Sequence, residues 1–221
     1  MSRDRSEAVD TYFAQLFIGE DADLSRALAA SAAAGLPPIA VSAVQGKLLY
    51  LLACAIGARR ILEVGTLGGY SAIWLARALP SDGRLITCEI DPVHAEVARA
   101  SIAAAGFADI VTIEVAPALQ TLDRFVRDGI EAFDLVFIDA DKQNNPNYLA
   151  RAVELAHPGT MIVLDNVVRG GAVIDESSKD SAVVGTRNAL EMLAGDPRLD
   201  ATAIQMVGQK GYDGFALARV V

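Results

Sequence analysis

Few cysteines, few basic residues and no long apolar run set the first limits on this sequence. Two cysteines in 221 residues cannot build the disulfide framework of a small secreted domain. The 19 Lys and Arg residues are outnumbered by 28 Asp and Glu residues and form no cluster, so no nucleic-acid partner is expected. The longest apolar run, residues 48–58, is shorter than the roughly 20 residues that cross a bilayer, so no membrane partner is expected either.

The amino-terminal segment also lacks the features of a targeting signal. Residues 1–10 carry charges of both signs and no apolar stretch, so we expect no secretory signal peptide and a cytoplasmic protein. What the sequence does have is a hydrophobic content of 52% and a charged content of 21%, which is typical of a packed globular protein. A chain of 221 residues with this composition is expected to form a single domain, residues 1–221.

Short apolar segments alternate with helical segments from residue 60 onward. The predicted strands are residues 60–64, 84–89, 110–115, 133–138 and 160–164, and the predicted helices are residues 71–78, 91–105, 117–128, 147–155 and 181–194. Because the strand segments are continuously apolar, we expect helices to cover both faces of the sheet. Strand–helix alternation of this kind predicts an α/β fold with a doubly wound, mostly parallel, Rossmann-like sheet.

The two ends of the chain differ from this alternation. Three helices are predicted before it, at residues 7–18, 24–33 and 42–56, and Ser42 followed by Gln45 is a capping-box pattern for the third. After it, residues 201–206 and 213–220 are strand-like and are joined by residues 207–212. That connection is too short for a helical crossover, so the last two strands should form an antiparallel hairpin that reverses one strand of the sheet.

A glycine-containing loop follows the first predicted strand. Gly65, Gly68 and Gly69 lie between that strand and the next helix, where they allow a ligand to approach the backbone and the helix N-terminus. Their spacing differs from the G-x-G-x-x-G fingerprint, which weakens a dinucleotide interpretation. Glu89 ends the next strand, where Rossmann-like folds place an acid on ribose hydroxyls. A tight turn and a solvated acid remain the alternative interpretations.

Oxygen-bearing side chains follow two other predicted strands. Asp139 comes directly after residues 133–138, and Asp165 and Asn166 come directly after residues 160–164. If these strands are parallel neighbours, their ends lie about 5 Å apart. Carboxylate and amide oxygens suit Mg²⁺, Ca²⁺ or Mn²⁺ better than zinc, so a site for a hard divalent cation is predicted. A turn at a strand end or a helix cap is the alternative for each residue.

Two sequence runs are specific enough to indicate a family. They are Phe-Ile-Asp-Ala-Asp-Lys at residues 137–142 and Leu-Asp-Asn-Val-Val at residues 164–168. With them the chain resembles class I S-adenosylmethionine-dependent O-methyltransferases of the cation-dependent caffeoyl-CoA and catechol type, over nearly all of the sequence after residue 36. The resemblance implies a seven-stranded sheet, a homodimer, S-adenosylmethionine as cosubstrate and a divalent cation, with Mg²⁺ ahead of Mn²⁺ and Ca²⁺. It also implies that helices in residues 1–58 cover the site of a Rossmann-like core, residues 59–221.

The resemblance further implies roles for individual residues. The residues implied around the cosubstrate are Val41, Glu63, Gly65, Thr66, Ser71, Glu89, Ala116, Asp139 and Asp141. Asp139, Asp165 and Asn166 are the implied metal ligands, and Lys142 is the implied catalytic base. Two alternatives stay open: Asp141 could ligate the metal, and Lys142 could be a surface lysine that caps the following helix.

Together these expectations describe a methyl transfer to oxygen. A phenol with a pKa of about 10 is mostly protonated at neutral pH, and coordination to a divalent cation lowers the pKa of the bound oxygen. We expect transfer from S-adenosylmethionine to a hydroxyl of a small, catechol-like aromatic with two vicinal hydroxyls. A hydroxycinnamoyl-CoA thioester is the alternative acceptor, and the candidate contacts for its phosphates are Arg3, Arg5, Arg169 and Lys179. An NAD-dependent oxidoreductase and a non-catalytic cosubstrate-binding protein are more remote alternatives.

Overall fold

A seven-stranded sheet forms the centre of the computed structural model, which describes residues 3–221, with side chains from residue 5 onward. The strands are β1 (Arg60–Val64), β2 (Arg84–Glu89), β3 (Val111–Val115), β4 (Phe133–Ile138), β5 (Ala156–Asp165), β6 (Leu199–Gly208) and β7 (Gly211–Val220). Their order is β3-β2-β1-β4-β5-β7-β6. The first five strands pair in parallel, whereas β7 is antiparallel to both β5 and β6. The predicted fold, a mostly parallel sheet with a reversed strand in the C-terminal hairpin, is confirmed.

Eight α-helices surround the sheet within the described residues. They are α1 (Arg3–Phe17), α2 (Ala22–Ala33), α3 (Ala43–Ala55), α4 (Tyr70–Ala76), α5 (Pro92–Ala104), α6 (Ala118–Asp128), α7 (Asn145–Glu154) and α8 (Ser181–Gly195). Two short 3₁₀ segments, Lys142–Asn144 and Arg169–Ile174, follow β4 and β5. None of these helices is long and apolar enough to cross a membrane, a statement that covers residues 3–221.

The helices form two layers because the strand side chains alternate between the two faces of the sheet. In β4, Leu135 and Phe137 pack with residues of α2, α3, α4 and α5, whereas Val136 and Ile138 pack with residues of α6, α7 and α8. All four side chains are fully buried. Burial on both faces is the reason that β4 has consecutive apolar residues from Leu135 to Ile138 instead of an alternating pattern.

Two segments of the sheet differ from the sequence prediction. β5 begins at Ala156 instead of residue 160, because Ala156 pairs with Phe133 and the Thr160 hydroxyl donates a 2.6 Å hydrogen bond to the Phe133 carbonyl. The predicted connection at residues 207–212 is also wrong. β6 and β7 extend to Gly208 and Gly211, and the positive φ of Gly211 (85°) is compatible with the tight reversal that results.

The capping-box prediction at the start of α3 is only half correct. The Ser42 hydroxyl accepts a hydrogen bond from the Gln45 backbone N–H at 3.2 Å, as expected of an N-cap. The Gln45 side chain, however, does not return to Ser42. Its amide donates instead to Asp165 Oδ1 at the end of β5, which links α3 to the sheet edge.

Candidate active site

A cavity of about 1030 Å³ opens at the carboxyl ends of the parallel strands. This is the edge at which α/β sheets bind their ligands. The segments that line it come from the ends of β1, β2 and β4, from the start of α6 and from the chain before α3, and they include residues 36–41, 65–68, 88–90, 117–119 and 139–144. Asn166 and Arg169 complete the wall on the side of β5.

The glycine loop packs against the end of β4. A Cβ atom at Gly65, which has a φ of 103°, would lie only 2.3 Å from the Asp139 carbonyl oxygen. Gly69, with a φ of 85°, precedes α4 and provides no side-chain cap for it. Glycine is therefore needed at Gly65 by space and by conformation, and the loop keeps its backbone open toward the cavity.

Glu89 organises this loop through both carboxylate oxygens. Oε2 accepts hydrogen bonds from the Leu67 and Thr66 backbone N–H groups at 2.8 and 3.3 Å. Oε1 accepts from the Ile90 and Asp91 N–H groups at 2.9 and 3.0 Å. The side chain is 7% exposed and lines the cavity, so it is not a solvated strand-end acid.

Glu63 lies fully buried beside the glycine loop, outside the cavity lining. Its Oε2 accepts a 2.6 Å hydrogen bond from the Thr87 hydroxyl, while Oε1 has no hydrogen bond of normal geometry. Burial raises the pKa of Glu63 to about 7, and the charges of Asp139 and Glu89 add to the effect, although the nearby Ser71 and Thr87 hydroxyls oppose it. A carboxyl group that titrates near neutrality therefore lies next to the loop.

The ends of β4 and β5 bring Asp139 and Asp165 together. Ile138 pairs with Leu164 in the parallel register, so the two aspartates follow on adjacent strands. Asp165 is 3% exposed, and its Oδ1 accepts hydrogen bonds from Gln45 Nε2 at 2.7 Å and from the Asn166 N–H at 2.8 Å. Burial, together with the negative charge of Asp139, raises the pKa of Asp165 to about 7.

Lys142 is the cation that faces these two carboxylates most directly. Its Nζ donates a 2.7 Å hydrogen bond to Asp139 Oδ1, and its charge lowers the pKa of Asp165. The residue is 9% exposed and lines the cavity. This burial is incompatible with the alternative in which Lys142 is a surface lysine.

The donors at this sheet edge fit a hard divalent cation. Within residues 3–221 no three His, Cys, Asp or Glu side chains converge, so a metal held here would need the Asn166 amide oxygen beside the carboxylates of Asp139 and Asp165. Burial first and then the charge of Asp139 raise the pKa of Asp165, so both the lost hydration and the neighbouring carboxylate disfavour its ionised form. A bound cation would remove that cost, and an all-oxygen donor set matches Mg²⁺ and its relatives.

Asp141 is engaged within its own loop. Its Oδ1 accepts a hydrogen bond from the Tyr148 hydroxyl, and its Oδ2 accepts one from Asn144 Nδ2 at 2.6 Å. Burial, with the Asp141 charge, raises the pKa of Tyr148. Both oxygens are thus held by neighbouring side chains while the residue lines the cavity. These contacts favour a place beside the cosubstrate over a place among the metal ligands.

The cavity gathers most of the residues implied for the cosubstrate. Those that line it are Val41, Gly65, Thr66, Ser71, Glu89, Asp139 and Asp141. Glu63 is buried behind the lining, and Ala116 lies outside it although its neighbours Pro117 and Ala118 belong to it. Asp165 lines a smaller adjoining cavity, and Asn166 borders both.

Three residues near the site had no role in the sequence prediction. Gln45 bonds Asp165, as described above. Lys210, in the turn between β6 and β7, donates to the Pro38 carbonyl at 3.1 Å and lies close enough to Asp139 and Asp165 to feel their charges. His94 lines the cavity with Nδ1 3.7 Å from Glu89 Oε1. None of the three carried a local sequence signal for a place at this site, because each is brought there by the packing of its element against the sheet edge.

The remaining basic candidates do not share this location. Arg5 and Lys179 are exposed and lie outside the cavity lining, whereas Arg169 lies within it. Arg3 has no described side chain. A row of basic residues for a phosphate-rich tail is therefore not assembled by the described members of that set.

Comparison with known proteins identifies the family to which this architecture belongs. A family model described as O-methyltransferase matches residues 20–221. A catechol O-methyltransferase from Mycobacterium tuberculosis is 55% identical over 212 residues, which cover 96% of this chain and 94% of that protein. A catechol O-methyltransferase from Niastella koreensis is 50% identical over 214 residues, covering 97% of each chain.

Solved structures agree with the sequence relatives. The crystal structure of an O-methyltransferase from Bacillus cereus, in complex with S-adenosylhomocysteine, superposes with a TM-score of 0.98 at 49% identity over 100% of both chains. The structure of TomG from Streptomyces achromogenes, an O-methyltransferase of tomaymycin synthesis in complex with S-adenosylmethionine, superposes with a TM-score of 0.96 at 52% identity over 100% of this chain and 99% of that one. These matches leave no support for the oxidoreductase alternative. From its fold, its cavity and these relatives, the chain belongs to the O-methyltransferase family.

Proposed function

We propose that the protein transfers a methyl group from S-adenosylmethionine to one hydroxyl of a small vicinal dihydroxy aromatic, with the help of a divalent cation. The observation that carries the proposal is that Asp139 and Lys142 line the cavity that also contains the glycine loop, while Asp165 lies beside them on the next strand and lines the adjoining cavity. The relatives support the proposal. Two of them are catechol O-methyltransferases, and two similar crystal structures contain S-adenosylmethionine or its product S-adenosylhomocysteine.

The cosubstrate would occupy the half of the cavity formed by β1 and β2. Glu89 is held in place by backbone N–H groups and lines the cavity, so we assign it to the ribose hydroxyls, which would replace the longest of these bonds, the 3.3 Å bond from the Thr66 N–H. The loop 65–71 would leave space for the methionine portion, and residues 117–119, which line the cavity, would border a flat adenine ring. In this placement the sulfonium would face Asp139 and Lys142.

The acceptor would occupy the half of the cavity beside β4 and β5. Asp139, Asp165 and Asn166 would hold the divalent cation, which when bound lowers the pKa of a phenolic hydroxyl and fixes the orientation of a vicinal pair. Asp139 holds Lys142 Nζ in place. In its uncharged form, this amine would take up the proton that leaves the hydroxyl of the substrate. As the new C–O bond forms, the C–S bond breaks and S-adenosylhomocysteine leaves.

Positioning accounts for much of the expected rate. The methyl group of a sulfonium is already activated, so the protein needs mainly to align an oxygen nucleophile behind it. The Gln45 hydrogen bond to Asp165 and the Lys142 hydrogen bond to Asp139 hold the two carboxylates that would set this alignment. Residues 36–41, which border the cavity ahead of α3, would exclude water from the reacting groups.

A direct product assay tests the proposal. The purified protein is incubated with S-adenosylmethionine, Mg²⁺ and a panel that contains catechol, phenol and resorcinol, and the products are identified by mass spectrometry. Monomethylation of catechol without methylation of phenol or resorcinol is expected, because only catechol presents two vicinal oxygens. Equal methylation of phenol would contradict the role of the vicinal pair, and no methylation of any of the three would contradict the proposal as a whole.

A homodimer is part of the same proposal. α1 exposes Tyr12, Leu16 and Phe17, and the edge strand β6 exposes Ile204 and Val207, so large apolar side chains face solvent on neighbouring elements. Such surfaces commonly mark a protein interface. Sedimentation velocity should give twice the chain mass, and Leu16→Glu should shift the population toward the monomer.

A cytoplasmic location is proposed with it. The two cysteines are unpaired: Cys88 is buried in β2 and Cys54 is exposed on α3. Free thiols are typical of proteins in a reducing compartment. Fractionation of cells that express the protein should recover it with the cytoplasmic markers.

A further inference from the structure

Arg169 is a cation in the cavity wall with no acidic partner. Within the described residues its guanidinium forms no ion pair or side-chain hydrogen bond, and its Nε is buried without an acceptor. A buried N–H group that has lost its water and gained no acceptor destabilises the folded protein, and the cost in free energy is larger when the group is charged. The arrangement suits a residue whose partner arrives with the substrate.

The backbone around Arg169 is held in an uncommon conformation. Its φ is 56°, in the left-handed region that side-chain-bearing residues rarely adopt. Asp213 Oδ1, on β7, accepts hydrogen bonds from the Val168 and Arg169 N–H groups at 3.0 and 3.1 Å and so fixes this turn. Strain of this kind persists where the surrounding structure imposes it, and it is concentrated at functional sites. The turn directs Arg169 to the cavity from the segment that follows Asn166.

The acids of the same cavity are already engaged by other groups. Asp139 is bonded to Lys142, Asp141 to Tyr148 and Asn144, and Glu89 to four backbone N–H groups. None of them is left to neutralise Arg169. The acceptor half of the cavity therefore contains a free guanidinium a few residues from the proposed metal ligands.

We propose that Arg169 binds a carboxylate carried by the acceptor, so that the preferred substrates are dihydroxy aromatic acids such as dihydroxybenzoic or dihydroxycinnamic acids. A guanidinium matches a carboxylate with two parallel N–H···O bonds, which would fix the ring while its vicinal hydroxyls face Asp139 and Asn166. This inference rests on the proposed O-methyltransferase function and narrows its substrate class.

A carboxylate could also come from the methionine portion of the cosubstrate. That portion belongs at the glycine loop, on the β1 side of the cavity, whereas Arg169 follows β5 and borders Asn166. The acceptor is therefore the source that the geometry favours. The two sources are separable by experiment, because only one of them is present in S-adenosylhomocysteine.

The test compares wild type with Arg169→Gln, Arg169→Lys and the control Arg127→Gln. Arg127 is 71% exposed at the end of α6 and pairs with Asp128 there, so its loss removes one positive charge away from the cavity. For each protein, kcat/KM is measured with catechol, 3,4-dihydroxybenzoic acid and dopamine. The dissociation constants of S-adenosylhomocysteine, and of 3,4-dihydroxybenzoic acid in its presence, are measured by calorimetry.

We expect Arg169→Gln to lower the ratio of kcat/KM for 3,4-dihydroxybenzoic acid to that for catechol by about tenfold or more, the loss expected for one charge-assisted contact. The dissociation constant of the acid should rise with it, and dopamine should gain relative to catechol. Arg169→Lys should recover part of the ratio, because it keeps the charge without the planar fork. Arg127→Gln should leave the ratio and both dissociation constants as in wild type.

Three results would overturn the inference while leaving methyl transfer to catechol intact. The first is an acid-to-catechol ratio that Arg169→Gln does not change. The second is a rise in the dissociation constant of S-adenosylhomocysteine as large as that of the acid, which assigns the carboxylate to the cosubstrate. The third is a hydroxycinnamoyl-CoA thioester that loses turnover in Arg169→Gln as strongly as the free hydroxycinnamic acid. Failure of wild type with catechol and with the acid alike would instead overturn the proposed function itself.

Discussion

Gln45 Nε2 donates a 2.7 Å hydrogen bond to Asp165 Oδ1, and this bond joins α3 to the carboxyl end of β5 across 120 positions of the chain. Both residues are buried. The bond supplies one of the contacts that keep the Asp165 carboxylate ionisable in spite of its burial. It therefore connects the N-terminal helices with the proposed catalytic edge of the sheet.

Replacing Gln45 with Leu should destabilise the protein by about 1–3 kcal/mol, because a buried carboxylate oxygen loses one of its two donors. Urea unfolding followed by circular dichroism measures the change. Gln120→Leu is the matched control, since Gln120 is exposed on α6 and should change stability little. Equal stability of the Gln45 variant and wild type would mean that the bond contributes nothing.

Lys142→Met should lower kcat with catechol about a hundredfold or more, the usual size of a general-base contribution, while the dissociation constant of S-adenosylhomocysteine changes little. Single-turnover kinetics and calorimetry separate the two effects. The exposed Lys179, replaced by Met, serves as the control for loss of a lysine charge. An unchanged kcat in Lys142→Met would exclude this lysine as the base.

Removal of divalent cations should abolish methylation without abolishing cosubstrate binding. Protein treated with EDTA and then passed into chelator-free buffer is assayed with catechol, and Mg²⁺, Mn²⁺ or Ca²⁺ is added back separately. Asp165→Asn should raise the Mg²⁺ concentration needed for half-maximal activity, because one anionic ligand is lost. Full activity of the treated protein in the presence of EDTA would refute the metal role.

The stability of the ligand-free protein should fall as the pH rises from about 4.5 to about 7. In this window the folded protein keeps the proton of Glu63, whose pKa is raised from 4.5 to about 7, whereas the unfolded chain has released it. The folded state therefore binds more protons, and stability decreases with pH until the folded-state pKa is passed. The share of Glu63 is of the order of 3 kcal/mol.

The variant Glu63→Gln separates the contribution of Glu63 to the pH dependence of stability from the similar contribution of Asp165. The variant keeps the shape of the side chain but has no proton to lose, so its melting temperature should decline less steeply than that of wild type between about pH 5 and 7. Thermal unfolding at a series of pH values measures both slopes. Parallel slopes would show that Glu63 does not titrate in this range.

The sequence predicts most of the sheet because strands that are buried on both faces have mostly apolar sequences, which are easily recognised. β1, β2 and β4 have the predicted limits, since each is a short and mostly apolar segment, although Glu63, Thr87 and Asp134 lie inside them. The same signal places Asp139 and Asp165 at adjacent strand ends. The register of β4 and β5 does not follow from this signal, because the pairing shifts between Phe133 and Leu135.

Contacts between distant segments are the part that local patterns do not contain. From the sequence, the Gln45 side chain could complete a capping box or donate a hydrogen bond to a distant residue such as Asp165. Only the packing of α3 on the sheet distinguishes the two. Lys210 lies in a predicted connection, and nothing near it in sequence indicates that it reaches Pro38. Residues 156–159 likewise belong to β5 because Ala156 pairs with β4, and their own composition does not predict a strand.

The turn between β6 and β7 has a consequence for how the protein matures on the ribosome. Gln209 N–H bonds to Asp10 Oδ2 at 2.9 Å and Lys210 Nζ bonds to the Pro38 carbonyl, so this late hairpin fastens two of the earliest segments. A nascent chain that has emerged only as far as β5 would have the glycine loop and both aspartates but an unfastened cavity wall. Competence for the reaction should thus appear only after the last residues of the chain have left the ribosome and the hairpin has packed against these segments.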